Sequence, residues 1–372
     1  MTNKIINMEQ TQNLFQEFDA VTTKDWVDAI EKFLKGKPVD SLNWELEEGL
    51  IISPLHRKET TRSQYIGSPN LGSNNNWSIC EAFIIKKAKD CSSINTQILD
   101  ALSKGSNALI LNFDYVPNLA DLEALLQNVL LDLVQIHFQG TALSTNPNVF
   151  LQTIAQISNI QALNGSCDLG NIPPNLLGDY FDFCLANLPK FRFLTITIAN
   201  SLTKSLSAAI FQASQWIDIL TEQGKNIEQI TNFLRFEFNI GEHYFVELAS
   251  IRAFKRLWLA LLEAYAVPSV VLPFFHATTL SDQHENQYWN MITATTQAMA
   301  AAIGGVDCIY IRPCNTLNEA DSFTRRIARN VQHVLQSESY LNRVVDPASG
   351  AYYIENLTLA LSKQAWQQFC KL

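Results

Sequence analysis

The chain has 372 residues, of which 47% are hydrophobic and 17% charged, and its formal net charge is −9. With 21 Phe and only 14 Gly, it has ample apolar surface to bury, which excludes a disordered or collagen-like protein. The acidic balance argues against nucleic acid as a main partner, because phosphate binding needs clustered Lys and Arg. Seven scattered cysteines without a C-x-x-C pair favour reduced thiols. We expect a cytoplasmic protein with neither a secretory signal nor a membrane span.

The first 76 residues differ in pattern from the rest. Residues 25–34 (DWVDAIEKFL) carry apolar side chains at helical spacing, residues 42–52 alternate loosely, and residues 53–76 are polar and rich in Gly, Pro and Asn. A short helix followed by an extended segment cannot bury its own apolar face. We therefore expect residues 1–76 to form an arm and linker that lies on another domain or on another subunit.

Residues 77–372 alternate short apolar runs with amphipathic stretches. The predicted strands are 77–85, 108–113, 133–138, 161–169, 193–199, 233–240, 270–275 and 308–312. The predicted helices are 94–102, 119–130, 149–157, 205–223, 242–265, 286–303, 320–337 and 357–369. About eight strand–helix units predict a parallel sheet closed into a (β/α)8 TIM barrel. A doubly wound open sheet is the alternative, although no G-x-G-x-x-G follows the first strand to support a dinucleotide site.

Two neighbouring segments carry a specific resemblance. Residues 326–332 read RIARNVQ and residues 346–358 read DPASGAYYIENLT. They resemble the methylmalonyl-CoA mutase family, in which a barrel helix reads R-I-A-R-N-x-Q and the next loop reads D-P-x-x-G-x-x-Y-x-E-x-L-T. Similar stretches at 246–258, 296–305 and 18–49 extend the resemblance over nearly the whole chain. The matching residues to which we assign structural roles are Arg326, Arg329, Asn330, Asp346, Gly350 and Tyr353.

Local spacing suggests what these motif residues do. The arginines at 325, 326 and 329 are expected to form ion pairs with the loop around Asp346, with Glu338 and with neighbouring helices. Asp346 to Gly350 reads as a tight turn before the last helix. Of Tyr352 and Tyr353, we expect one in the core and one at the barrel rim.

The resemblance implies a (β/α)8 barrel preceded by an arm that packs on a partner subunit. Catalytic members of the family move the thioester group of a CoA ester to the neighbouring carbon by a radical route started from adenosylcobalamin. They carry a C-terminal cobalamin domain whose D-x-H-x-x-G histidine ligates cobalt. Because this sequence contains no D-x-H-x-x-G, we expect the C-terminal cobalamin-binding domain to be absent and no cofactor to be bound by this chain.

The resemblance also implies which catalytic groups should occur in the barrel. Catalytic members read T-I-R-Q-Y-A-G-F before the first strand, where residues 60–67 here read TTRSQYIG and include Tyr65. Three further motifs follow successive strands, Y-H-x-x-E-A-G-A, R-T-H-x-Q-T-S-G and G-H-T-Q-S-L-H. They are matched by 199–207, 274–280 and 305–311, where only His276 survives and Phe274 replaces the arginine. A mutase must hold the substrate carboxylate by a cation, so these losses are typical of the family's small, non-catalytic subunits.

The remaining site hypothesis is a vestigial pocket, and the alternative is that its residues have only a structural role in the core. His276 is expected at the end of a barrel strand, either facing a ligand or hydrogen-bonded in the core. The other histidines show no metal-type spacing, so we expect no metal site and no catalytic residue. The pocket candidates are His276, Thr278, Thr279, Gln139, His137, Lys204 and Tyr65.

Two functions from different classes remain at this point. The first is a non-catalytic barrel that binds and stabilises a large, cobalamin-carrying mutase subunit in a heterodimer, with a homodimer as the alternative when that partner is missing. The second is an acyl-CoA isomerase barrel that works with a cobalamin domain on a separate chain. A CoA titration distinguishes them, because only the second barrel should bind an acyl-CoA.

Overall fold

The computed structural model describes Asp19 and residues 21–57, 75–280, 284–315 and 321–372. The chain divides into two compact units, Met1–Thr61 and Arg62–Leu372. Tyr65 and the rest of the TTRSQYIG segment lie outside the described residues.

Among its described residues, the first unit contains one α-helix, a short 3₁₀ helix (Val39–Leu42) and one small hairpin. Helix α1 (Thr23–Phe33) begins two residues before the predicted start, because Thr22 and Asp25 form a reciprocal capping box. Strands β1 (Trp44–Glu47) and β2 (Leu50–Ile52) pair antiparallel where the sequence alternates. No residue of α1 is buried, and Phe33 is 87% exposed. Phe33 is therefore exposed, whereas Trp26 and Ile30 on the same helix are half-buried.

The second unit is built on a parallel sheet that closes on itself. Its strands, in chain order, are β3 (Ser78–Ile85), β4 (Ala108–Phe113), β5 (Gln135–Gln139), β6 (Asn164–Cys167), β7 (Phe191–Arg192), β8 (Leu194–Ile198), β9 (Leu234–Ile240), β10 (Phe274–Thr279) and β11 (Cys308–Tyr310). Every pairing in this sheet is parallel, and the last strand, β11, pairs with the first, β3.

The barrel closes through one interrupted strand. β7 and β8 are separated only by Phe193, and β7 pairs with β6 while β8 pairs with β9. Counted as one strand, they complete a ring of eight. The predicted (β/α)8 barrel is confirmed.

Helices follow the strands and cover the outside of the barrel. They are α2 (Cys91–Ser103), α3 (Leu119–Leu126), α4 (Thr141–Thr145), α5 (Pro147–Ile154), α6 (Pro174–Asn187), α7 (Thr203–Glu222), α8 (Ile227–Phe233), α9 (Tyr244–Ala264), α10 (Gln287–Gly304), α11 (Ser322–Ser337) and α12 (Tyr352–Phe369). Aromatic side chains fill the layer between strands and helices. Phe236 on β9 packs on Phe254 and Trp258 of α9 with ring centroids 4.6 and 5.8 Å apart. Strands buried on both faces explain the small charged fraction.

The structure corrects three sequence predictions. The strand expected at 270–275 runs from Phe274 to Thr279 instead, because Pro273 has no N–H to donate to a ladder. Helix α6, which was not predicted, begins with a proline in its first turn and buries Leu177, Phe181 and Cys184 at helical spacing. Helix α12 starts at Tyr352, five residues before the predicted 357.

Candidate functional site

The candidate site is a group of polar side chains inside the barrel. Because side chains alternate along a strand, His137 of β5, Ser166 of β6, Arg235 of β9 and His276 of β10 are brought together in the barrel interior. All four are fully buried, at 0% exposure. His137 Nδ1 lies 2.8 Å from Ser166 Oγ, and the two imidazole centroids are 5.3 Å apart.

The charge of the buried guanidinium is balanced within the barrel. Arg235 donates to Glu237 Oε2 at 3.0 Å and to Ser166 Oγ at 3.1 Å. Thr278 donates its hydroxyl to the other carboxylate oxygen of Glu237 at 2.9 Å. A buried charge needs such a partner, because burying an unpaired charge costs roughly several kcal/mol. The network therefore links β6, β9 and β10.

A second guanidinium lies at the amino-terminal half of the same interior. Arg192 of β7 sits 4.3 Å from the ring centroid of Phe274, a cation–π contact. It also donates to Asn164 Oδ1 at 3.1 Å and to the carbonyl of Gly165 at 3.4 Å. Phe274 is the first residue of β10, so this cation lies away from the carboxyl-terminal rim at which barrel enzymes bind substrates.

Electrostatics keep both interior imidazoles neutral. Burial lowers the pKa of His137 well below its usual range, and the charges of Arg235, His276 and Arg192 lower it further. Burial and Arg235 lower the pKa of His276 in the same way. Neutral imidazoles can accept hydrogen bonds or bind a metal ion, but at neutral pH they cannot donate a proton as an imidazolium. Since Ser166 and His137 are both sealed from solvent, their contact is not an accessible nucleophile–base pair.

The structure brings together three of the predicted pocket residues. His137, His276 and Thr278 meet inside the barrel. The expectation that His276 ends its strand is wrong, since β10 extends three residues further to Thr279. His137 Nδ1 contacts the Ser166 hydroxyl.

The other described pocket candidates differ in position and burial. Thr279 accepts a hydrogen bond from the Arg312 backbone N–H at 3.1 Å. Gln139 is half-buried at the end of β5, and Lys204 is exposed in the first turn of α7.

The α11 motif holds that helix against the barrel. Arg329 is buried and forms an ion pair with Glu81 of β3, which also accepts a 2.6 Å hydrogen bond from Ser106. The predicted pairing of Arg329 with the Asp346 loop or Glu338 is wrong, because the helix turns this residue toward the barrel. Arg326 and Asn330 are exposed, and Arg326 lies over the Phe323 ring at 5.5 Å.

The loop motif is held by a residue of α9. Asp346 is paired with Arg252 at 2.9 Å, and both are buried. Gly350, at φ +84°, donates its backbone N–H to Glu355 at 3.0 Å, in agreement with the predicted turn. Tyr353 is half-buried against Phe245 at 5.5 Å between ring centroids, whereas Tyr352 is exposed. Arg329, Asp346 and Gly350 therefore make contacts that hold the helix and the loop in place.

Sequence reasoning missed Ser166, Arg192, Arg235 and Glu237. Residues 234–240 read LRFEFNI, and their polar side chains at every second position predict a strand with one polar face. Because the segment was interpreted only as a short apolar run, Arg235 and Glu237 were not identified as charged residues of the barrel interior. Arg192 and Ser166 carry no comparable local pattern.

Comparison with known proteins identifies the family. The model of the methylmalonyl-CoA mutase family matches residues 172–372. The chain belongs to this family. It is 29% identical to the methylmalonyl-CoA mutase small subunit of Porphyromonas gingivalis, over 97% of this chain and 64% of that protein. It is also 29% identical to the probable small subunit of Mycobacterium tuberculosis, over 82% of this chain and 53% of that protein.

The chain thus spans between about half and two thirds of the length of these relatives. Among solved structures, dihydropteroate synthase from Xanthomonas albilineans is similar over 70% of this chain and 93% of that protein, with a TM-score of 0.40 and 11% identity. Within the described part of the chain, none of the helices combines the length and hydropathy required to cross a bilayer.

Proposed function

We propose that this chain is a non-catalytic, small-subunit-like barrel that stabilises a large, cobalamin-dependent mutase subunit in a heterodimer. The observation that carries the proposal is the content of the barrel. Phe274 stands where the resemblance places the substrate-binding arginine, and the two guanidinium groups nearby, Arg192 and Arg235, are already bonded to protein acceptors. A mutase must instead keep a cation accessible for the substrate carboxylate.

The surface of the first unit supports a partner role. Helix α1 has no buried residue, and it exposes Phe33 at one end of its apolar face. An amphipathic helix gains most of its stability from packing that face against another surface. We propose that the large subunit supplies this surface.

Adenosylcobalamin is assigned to the partner, because the barrel interior does not fit it. Cobalt ligation needs an imidazole that reaches a bulky ring system, whereas His137 and His276 are fully buried in the middle of their strands.

The alternative function is an acyl-CoA isomerase barrel that uses a cobalamin domain on another chain. Arg192 and Arg235 favour it, since the interior does contain two guanidinium groups near Phe274 and His276. Both groups already donate to protein acceptors, Arg192 to Asn164 and Gly165 and Arg235 to Ser166 and Glu237. A substrate carboxylate would have to displace these acceptors.

Two measurements separate these functions, one on the co-expressed proteins and one on the purified chain. The tagged chain is co-expressed with the large mutase subunit from the same source, and the thermal midpoint of the purified chain is followed while methylmalonyl-CoA or succinyl-CoA is added. We expect co-purification in equal amounts and an unchanged midpoint. Clear low-micromolar CoA binding that Arg192→Gln removes would support the alternative and overturn the scaffold role.

A further inference from the structure

Three potential metal ligands converge inside the barrel from three different strands. His137 of β5, His276 of β10 and Cys308 of β11 each offer one ligand atom, and these atoms lie within 4.8 Å of one another. All three side chains are 0% exposed. Their positions in the sequence are far apart, so no motif spacing reveals the cluster.

The imidazoles of this cluster have unused hydrogen-bonding capacity. Among the described residues, nothing bonds His137 Nε2 or either ring nitrogen of His276. Buried polar atoms almost always have a partner, and leaving one without costs about 1–3 kcal/mol. Three such atoms close together, beside a thiol, therefore point to a bound species that satisfies them.

The surrounding hydrogen bonds prepare His137 to ligate through Nε2. Ser166 Oγ has two lone pairs and can accept from both Arg235 Nη1, at 3.1 Å, and a protonated His137 Nδ1, at 2.8 Å. That tautomer leaves the lone pair on Nε2, the nitrogen without a protein partner. Metal-binding histidines are commonly oriented by such a hydrogen bond on the second ring nitrogen.

We propose that His137, His276 and Cys308 bind a Zn²⁺ ion inside the barrel. Two neutral imidazoles and one thiolate suit this borderline-soft ion. Tetrahedral zinc holds its ligand atoms about 3–4 Å apart, so an inward movement of about 1 Å forms the site.

The nearby charges are compatible with a cation at this point. Arg235 is linked to the cluster through the Ser166 hydroxyl, which lies 3.1 Å from its Nη1 and 2.8 Å from His137 Nδ1. The ion pair of Arg235 with Glu237 at 3.0 Å compensates the guanidinium charge. The Cys308 thiolate then offsets part of the charge of Zn²⁺, as in other cysteine-containing zinc sites.

The burial of the three ligands determines how the site must be tested. An ion would enter as the barrel closes during folding, so the full chain is expressed with added Zn²⁺ and, separately, refolded with Zn²⁺ or Co²⁺. Metal content is measured after gel filtration in the presence of a chelator. We expect one ion per chain, and with Co²⁺ a thiolate charge-transfer band together with the visible bands of a tetrahedral site.

Matched variants locate the ion. Cys308→Ser should lower the retained metal by about tenfold or more and abolish the charge-transfer band. Cys184→Ser changes an equally buried cysteine of α6 outside the cluster and should retain the metal.

X-ray absorption of the wild-type zinc protein keeps the proposal testable if Cys308→Ser does not fold. We expect two nitrogen ligands and one sulfur ligand from the protein in the first shell. The proposal is overturned if neither loading route gives bound metal, if the first shell lacks sulfur, or if folded Cys308→Ser retains as much metal as the wild type.

Discussion

Arg252 of α9 forms a bidentate ion pair with Asp346 through two parallel hydrogen bonds, Nε to Oδ1 and Nη2 to Oδ2, each 2.9 Å long. The same guanidinium donates to Thr358 at 3.0 Å and to Glu355 at 2.8 Å, both on α12. One side chain therefore ties α9 to the loop motif and to the last helix. The segment that carries the clearest family resemblance is a clamp between helices.

Asp346→Asn should destabilise the barrel strongly. The substitution removes one of the two carboxylates that pair with the buried Arg252 and leaves only Glu355. Removing one member of a buried pair costs about 3–5 kcal/mol, and the remaining Glu355 places the expected loss at the lower end. Urea denaturation followed by circular dichroism measures the loss. Asp100→Asn is the control, because its pair with Lys104 is exposed on both sides and its removal should leave the midpoint nearly unchanged. Equal effects of the two substitutions would contradict the clamp.

Glu247 should make stability depend on pH near neutrality. Burial raises the pKa of this carboxyl from 4.5 to about 7, although hydrogen bonds from Ser201 and the Gly241 backbone act in the opposite direction. The folded state thus binds a proton that the unfolded state has lost. This contribution to stability is present below pH 4.5 and is lost as the pH rises to about 7.

Glu247→Gln isolates this effect. The amide cannot ionise, so the variant should gain about 3 kcal/mol relative to the wild type between the two ends of that pH range. Urea midpoints of both proteins across the range measure the difference. A difference that does not change with pH would show that the carboxyl titrates normally in the folded state.

Gly165→Ala should disrupt the contact between β5 and β6. Gly165 has φ +154°, and a Cβ there would lie 1.8 Å from the Ile136 carbonyl oxygen, which is backbone and cannot move aside locally. We expect a loss of about 3 kcal/mol in the free energy of unfolding. Gly224→Ala is the matched control, with φ +77° and no atom within 4 Å of the added Cβ. It should cost only the left-handed strain, about 1–2 kcal/mol, and a similar loss at both positions would refute the steric argument.

Phe33→Glu should weaken binding of the large subunit without changing the stability of the barrel. Phe33 is 87% exposed on α1, so the chain alone loses no packing when a charge replaces it. The measurement is the yield of large subunit that co-purifies with the tagged chain, together with the thermal midpoint. Leu130→Glu, which charges a 61% exposed side chain of the second unit, is the control. Undiminished co-purification of the Phe33 variant would argue against a partner contact at this helix.

Much of the fold was predictable because its signals are local. The run FLTITIA predicts β8, and the apolar periodicity of residues 242–265 predicts α9, since each pattern follows from the period of its own element. The start of β10 was misplaced because VVLP is apolar and β-branched like a strand, while the effect of Pro273 on pairing depends on its neighbours.

The contents of the barrel were less predictable, because they depend on contacts between distant strands. His276 was identified as a candidate, but its proximity to His137 and Cys308 arises only when β5, β10 and β11 are placed around one axis. The partner of Arg329 was missed for a similar reason. Glu81 lies nearly 250 positions earlier in the chain, and no helical spacing indicates it.

The fifth strand of the barrel is divided into β7 and β8, and its pairing with β6 is weaker than the other strand pairings. We call this pairing the seam. Between β6 and β7 only two residue pairs are in register, Gly165 with Phe191 and Ser166 with Arg192, whereas β4 and β5 share five. Side-chain hydrogen bonds also connect these strands. Arg192 donates to Asn164, and Thr195 Oγ1 donates to the Cys167 carbonyl at 3.2 Å. Amide hydrogens along this seam should exchange with solvent sooner than those of β4 and β5. The ring would then first open into a curved sheet between its fourth and fifth strands, with the remaining strand pairs intact.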